Sequence, residues 1–179
     1  MSAEILIIDD NADIRLILDE LINDAGYKTR LAANFNQALT EIDKKLPDVA
    51  IIDVKLDKGD NDGILLLDHI KKKNPDLPVI MISGHANIEM AVNSLKSGAF
   101  EFIQKPFDKN RLTNFINRAV EHYNLKKENK SLNEKLFNSF DIIGESKNIL
   151  NIKDQIKHLA NSDSRIFITG PIGSGKELV

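Results

Sequence analysis

Short apolar runs rich in β-branched residues alternate with longer amphipathic stretches over the first 106 residues. Ile5-Leu6-Ile7-Ile8 is a continuous apolar run, the pattern of a strand buried on both faces. Ile14, Ile17, Leu18 and Leu21 then recur at helical spacing and predict a helix that packs on that face and stops near Gly26. Tyr27 to Leu31 reads as a weaker, edge-like strand, followed by a helix from Phe35 to Leu46. Val49-Ala50-Ile51-Ile52 is another buried strand, with a helix from Ile64 to Lys73 after it. Val79-Ile80-Met81-Ile82 repeats the motif, with a helix from Ile88 to Lys96 ended by Gly98. Phe100 to Gln104 is the fifth strand, and a helix begins after Pro106. Five such units predict an α/β fold, a five-stranded parallel doubly wound sheet with helices on both faces.

Helical character from Asp108 runs far, because no Gly or Pro occurs between Phe107 and Ile143. Leu112, Phe115, Ile116 and Ala119 form a face that suits the sheet. Beyond Tyr123 the residues are mostly Lys, Glu and Asn, with Leu125, Leu132 and Leu136 as a thin apolar seam. Such a helix either pairs with a second copy as a coiled coil or remains a solvated linker. After Phe140 come a turn, a short amphipathic helix from Ile149 to Leu159, and a strand over Ile166-Phe167-Ile168-Thr169.

Composition narrows the function classes. The chain has 179 residues, 42% hydrophobic and 28% charged, ordinary for one globular domain with additional segments. No apolar run approaches the roughly 20 residues of a membrane span, and the start carries no basic segment of a signal peptide. A cytoplasmic protein is expected. There is no cysteine, which excludes disulfides, thiolate metal sites and cysteine nucleophiles. Residues 1–106 carry 18 acidic and 12 basic side chains, and residues 107–179 carry nine and 12. An acidic globular part therefore precedes a mildly basic one, and neither has the concentrated basic face of a nucleic-acid binder. His69, His85, His122 and His158 are scattered without metal-ligand spacing.

The predicted strand ends collect a pattern of chemistry. In an open parallel sheet the functional crevice lies at the carboxyl ends of the strands. Asp9 and Asp10 end the first strand, Asp53 the third, Ser83 the fourth, and Lys105-Pro106 the fifth. Singly, such an aspartate caps a helix or closes a strand. Together, three converging carboxylates repel one another, and a divalent cation such as Mg²⁺, with its preference for oxygen ligands, resolves the conflict. A lysine and a hydroxyl beside it suit a transferred phosphoryl group.

With these residues in place, residues 1–120 resemble the receiver domain of bacterial two-component response regulators. The resemblance implies a flavodoxin-like sheet of order 2-1-3-4-5. It implies that Asp53 is a carboxylate nucleophile that takes a phosphoryl group from a sensor histidine kinase. It further implies that Asp10, Asp53 and the Lys55 carbonyl hold Mg²⁺, with Asp9 bound directly or through water. Ser83 matches the switch hydroxyl, Lys105 the phosphate-facing lysine, and Phe102 the aromatic switch residue. A cis Lys105-Pro106 bond is usual in that family. One departure stands out. Val54-Lys55-Leu56-Asp57-Lys58-Gly59-Asp60-Asn61 is longer than the family's usual loop and lacks its proline.

Gly170-Pro171-Ile172-Gly173-Ser174-Gly175-Lys176 fits a phosphate loop, whose backbone N–H groups cradle phosphates. Glu177 stands where Ser or Thr is general, which is similar to the AAA+ ATPases that activate sigma-54 RNA polymerase. Ile143-Gly144-Glu145-Ser146 resembles the start of that module. The whole arrangement resembles the NtrC class of regulators, and Ser83-Gly84-His85 and Asp163-Ser164-Arg165 look most like its NtrX branch. The expected division is a receiver over 1–120, a helical linker over 121–140, and the N-terminal fragment of an ATPase domain over 141–179, truncated by expression or in the gene. ATP, sigma-54 polymerase and DNA would then be partners only of a longer protein, and a homodimer is expected through the leucine seam. A receiver-only adaptor and, less so, an autonomous P-loop ATPase are the alternatives.

Overall fold

The structure, a computed structural model, describes residues 2–57, 59, 61–84, 88–138, 142–159 and 165–176, with the backbone alone at 133–138. The chain divides into two compact units, Met1–Lys127 and Glu128–Val179. In the first unit strands and helices alternate: β1 (Glu4–Ile8), α1 (Ala12–Asp24), β2 (Lys28–Ala32), α2 (Phe35–Lys44), β3 (Val49–Asp53), α3 (Asp62–Lys73), β4 (Val79–Ser83), α4 (Ile88–Lys96), β5 (Glu101–Gln104) and the start of α5 (Lys109–Asn138). Every strand pairing is parallel and the order is β2-β1-β3-β4-β5. Both the five-stranded doubly wound sheet and its order are as expected.

Strand geometry sends alternate side chains to opposite faces, and each face has its own core. Leu6, Ile8, Ala50, Ile52, Val79 and Met81 pack with Ala38 and Ile42 of α2 and Leu66, Leu67 and Ile70 of α3. Ile5, Ile7, Val49, Ile51, Ile80 and Ile82 pack with Leu18, Leu21 and Ile22 of α1 and with Leu112, Ile116, Ala119 and Val120 of α5. Each fully buried Ile or Leu contributes about 1.5–3 kcal/mol. That is why β1, β3 and β4 read as unbroken apolar runs.

Chain punctuation fixes where the strands end. Asn11 caps α1, its Oδ1 accepting from the N–H groups of Asp13 (2.9 Å) and Ile14 (3.3 Å). The helix therefore starts immediately after Asp9-Asp10 and leaves both at the sheet's carboxyl edge. Gly26, at φ +86°, turns the chain out of α1 in the left-handed region where a Cβ is costly. One expectation on α1 is corrected. Ile17 is 51% exposed while Ile22 is fully buried, because the helix meets the sheet through Leu18, Leu21 and Ile22.

Helix α5 is tied to the amino edge of the sheet, away from the strand ends that carry the aspartates. Tyr123 is buried with the core of the α2–α3 face, and its hydroxyl accepts a hydrogen bond from Asn74 Nδ2 at 3.1 Å. Lys126 pairs with Asp76 at 2.6 Å, and Lys127 pairs with Asp48 at 2.7 Å. The Lys127 ammonium also lies 4.4 Å from the centre of the Tyr123 ring. Asp48 receives the Glu4 N–H as well, and its carboxyl sits below the usual range: burial alone would raise it, but these donors outweigh that. Leu125 and Leu132 are 60% and 53% exposed; the Leu136 side chain lies outside the described residues.

In the second unit α6 (Lys147–Leu159) starts at Ser146, whose Oγ accepts from the Ile149 N–H at 3.4 Å. The strand expected over Ile166–Thr169 does not form: the segment pairs with no strand among the described residues, and Ile166, Phe167 and Ile168 are exposed. A strand needs a ladder partner for its backbone groups, which β-branched composition alone cannot supply. Among the described residues no helix is long and apolar enough to cross a membrane.

Candidate functional site

Four strand ends deliver the predicted residues to one edge of the sheet. Asp9 continues β1, its N–H donating to Ala32 O at 3.3 Å. Asp53 is the last residue of β3 and Ser83 the last of β4. Lys105 follows β5, its N–H donating to Ser83 O at 2.8 Å, and the Lys105-Pro106 bond is cis. Asp10, Asp53, Lys55, Ser83 and Lys105 line a cavity of about 550 Å³ together with Asn11, Ile14, Val54, Gly84 and Met90.

The electrostatics of this edge centre on one ammonium group. Lys105 Nζ donates to Asp9 Oδ2 and to Asp53 Oδ2, both at 2.6 Å. Asp9 is 1% exposed and Asp53 8%. Burial pushes the Asp53 carboxyl above its usual range. The Lys105 contact opposes this and neighbouring Asp9 adds to it. Burial alone would lower Lys105, yet hydrogen bonds to Asp53 and Asp9 outweigh it and hold the lysine above its ordinary value. One shared cation does not neutralise three carboxylates. Asp9, Asp10 and Asp53 each offer an oxygen within 4.8 Å of the others, a hard all-oxygen donor set that suits Mg²⁺ or a similar divalent ion.

Local contacts orient each carboxylate. The Asn11 N–H donates to Asp9 Oδ1 at 3.0 Å, and Arg15 Nη1 donates to the Asp9 carbonyl at 2.7 Å. The Lys55 N–H donates to Asp53 Oδ1 at 3.3 Å. Ser83, a residue 4% exposed, sets its hydroxyl 3.8 Å from Met90 Sδ. Phe102 is not in the cavity. It is half-buried, pairs in register with Met81 and packs against the α2–α3 core.

Sequence reasoning passed over Arg15, Met90 and Gly63. Arg15 was legible only as one more polar residue on α1. Met90 reads as core and becomes a cavity wall because α4 sets it beside Ser83. At Gly63 a Cβ would stand 2.1 Å from the Asp53 carbonyl oxygen, so α3 can press against the Asp53 backbone only where no side chain intervenes.

The phosphate-loop residues belong to the second unit. Gly173 and Gly175 take φ of +78° and +76°, and Ser174 Oγ donates to Pro171 O at 2.8 Å. Lys176 Nζ folds back onto the carbonyls of Gly170 and Pro171 at 3.0 and 2.5 Å. Glu177, His85 and the Asp163-Ser164 part of the expected motifs lie outside the described residues.

Comparison with known proteins agrees with this architecture. Residues 5–117 match the response regulator receiver domain, and residues 143–179 match the sigma-54 interaction domain. The chain belongs to the response regulator receiver family. Within that family it is similar to NtrX proteins. It is 42% identical, over 98% of its length, to a putative NtrX-like response regulator of Rickettsia bellii, of which it spans 37%. Crystalline NtrX from Brucella abortus in complex with ADP is 42% identical with a TM-score of 0.70, covering 99% of this chain and 40% of that one. The isolated receiver domain of the same Brucella protein is 44% identical with a TM-score of 0.62, covering 65% of this chain and 98% of that one. The chain thus joins a receiver domain to part of a sigma-54 activator module, the arrangement of NtrC-class two-component regulators, and it spans well under half of its longer relatives.

Proposed function

We propose that Asp53 accepts a phosphoryl group from a sensor histidine kinase with Mg²⁺ held by Asp9, Asp10, Asp53 and the Lys55 carbonyl. The observation that carries this is the Lys105 ammonium joined to two buried carboxylates at the mouth of a cavity that also holds Ser83. Asp53 Oδ forms the new bond to phosphorus as the donor's phosphorus–nitrogen bond breaks, or its phosphorus–oxygen bond when the donor is acetyl phosphate. The metal would supply charge neutralisation at the transferred oxygens. Lys105 moves from pairing two carboxylates to pairing the acquired phosphate, Ser83 donates a hydroxyl to it, and Phe102 repacks against the core. Incubation with acetyl phosphate and Mg²⁺ is expected to add one phosphoryl mass to the intact chain, and EDTA to prevent it. Labelling undiminished by EDTA would refute the metal-assisted mechanism.

The unit boundaries proposed for function are a receiver at 1–120, a linker at 121–140 and an ATPase fragment at 141–179, all in the cytoplasm. The exposed Leu125 and Leu132 support pairing of two chains through the linker. In a longer protein the completed module would bind ATP, consistent with the ADP bound by the Brucella relative, and sigma-54 polymerase and DNA would be engaged through regions other than this fragment. This chain itself acts as a phosphoacceptor and not as an ATPase. Lys176 donates to its own loop's carbonyls at 3.0 and 2.5 Å, contacts that a bound phosphate would have to displace. Calorimetry with ATP is expected to show no micromolar binding; such binding would overturn this assignment.

A further inference from the structure

The segment between Asp53 and α3, which departs from the family's short loop, is built into the fold at several points. Val54 and Leu56 are 1% and 3% exposed within the α2–α3 core. Leu56 forms an antiparallel bridge with Gly59, and the Gly63 N–H donates to Val54 O at 3.0 Å. Asp57, exposed between these anchors, reaches a different helix. Its Oδ1 accepts the N–H of Phe35, the first residue of α2, at 3.0 Å. Asn34 Oδ1 takes the Gln37 N–H at 2.8 Å, so the two side chains each take one of the N–H donors at that helix end. A carboxylate is favoured there by the helix dipole and by the charge-assisted bond.

The Asp57 contact lies two residues after Lys55 in the chain. Lys55 lines the acidic cavity, and its N–H meets Asp53 Oδ1. We propose that Asp57 is a positioning residue for the acidic site: by fastening the loop to the head of α2 it fixes the Lys55 main chain beside Asp53, where the cation is held. This rests on the metal-assisted phosphoacceptor role proposed above. A hard divalent ion with strict geometry gains affinity from a ligand backbone that is already in place.

The test uses the full chain and MgCl₂ as the probe, with binding followed by calorimetry and the loop followed by amide hydrogen exchange in EDTA. Asp57→Ala removes the acceptor at an exposed position. It is expected to weaken Mg²⁺ binding about three- to tenfold, the scale of one lost net hydrogen bond, and to speed exchange of the Lys55 and Phe35 amides by a similar factor. Asp57→Asn keeps an oxygen acceptor and is expected to recover most of both effects. Unchanged Mg²⁺ affinity in Asp57→Ala, or unchanged Lys55 exchange, overturns the proposal while leaving the metal site standing. If wild type binds no Mg²⁺, or Asp53→Asn binds it as tightly as wild type, the metal role itself falls and this proposal with it.

Discussion

Asp53→Asn is expected to abolish phosphoryl uptake from acetyl phosphate while the chain stays folded. The amide offers no anionic oxygen for attack on phosphorus, so the covalent step loses its nucleophile. Stability should move the other way. Asparagine matches aspartate in size, Lys105 keeps Asp9 as its partner at 2.6 Å, and the buried edge loses one of two carboxylates competing for a single ammonium. The melting temperature in EDTA should therefore equal or exceed that of the wild type. Intact mass and thermal denaturation by circular dichroism measure the two halves of this expectation. A phosphoryl adduct of undiminished yield on the Asp53→Asn variant would remove Asp53 from its assigned role.

Gly63→Ala is expected to be the most damaging single methyl group in the receiver. An alanine early in a helix ordinarily stabilises relative to glycine by roughly 0.5–1 kcal/mol. Here the added carbon would meet the Asp53 carbonyl oxygen at 2.1 Å and Val54 Cα at 2.8 Å. Both obstacles are backbone, and Asp53 and Val54 are buried, so α3 or the end of β3 must move. Such overpacking costs about 1–3 kcal/mol, enough to lower the melting temperature by roughly 5–15 °C in a domain of this size. Phosphoryl uptake should slow as well, because the displaced backbone is that of Asp53. Gly59→Ala is the matched control. The nearest atom there is Asp62 Oδ1 at 3.6 Å, an ordinary contact, so its melting temperature should stay near wild type. Equal losses in the two variants would mean that the close approach at Gly63 is not what makes it necessary.

Much of this site was legible in the chain because it is written at strand ends. A strand buried on both faces tolerates no polar residue inside it, so Asp9, Asp53 and Ser83 mark where β1, β3 and β4 leave the core. Convergence then follows from parallel pairing alone. What was not legible depends on contacts between segments far apart in sequence. The Asp57 bond to the head of α2 spans 22 residues, and nothing in the local pattern singles that aspartate out from Asp60 or Asp62. Ile17 shows a second limit, since helical spacing defines a stripe but the packing angle against the sheet decides which edge of the stripe is covered. Ile166–Thr169 shows a third: β-branched composition expresses a preference that only a neighbouring strand can satisfy.

The tie between α5 and the sheet's amino edge constrains how a signal can leave the receiver. Tyr123, Lys126 and Lys127 are fastened to Asn74, Asp76 and Asp48 at the end of the sheet opposite the carboxylates. Leu112, Ile116 and Ala119 are fully or almost fully buried against the sheet between those anchors and the amino end of the helix. A rod pinned at its far end and bedded along its length is a poor lever. It resists swinging, and turning about its own long axis would lift Leu112, Ile116 and Ala119 out of the core as well as break three polar contacts. As far as Lys127 the helix therefore travels with the strands as one body, and a change at the carboxylate edge reaches it only by shifting the core they share.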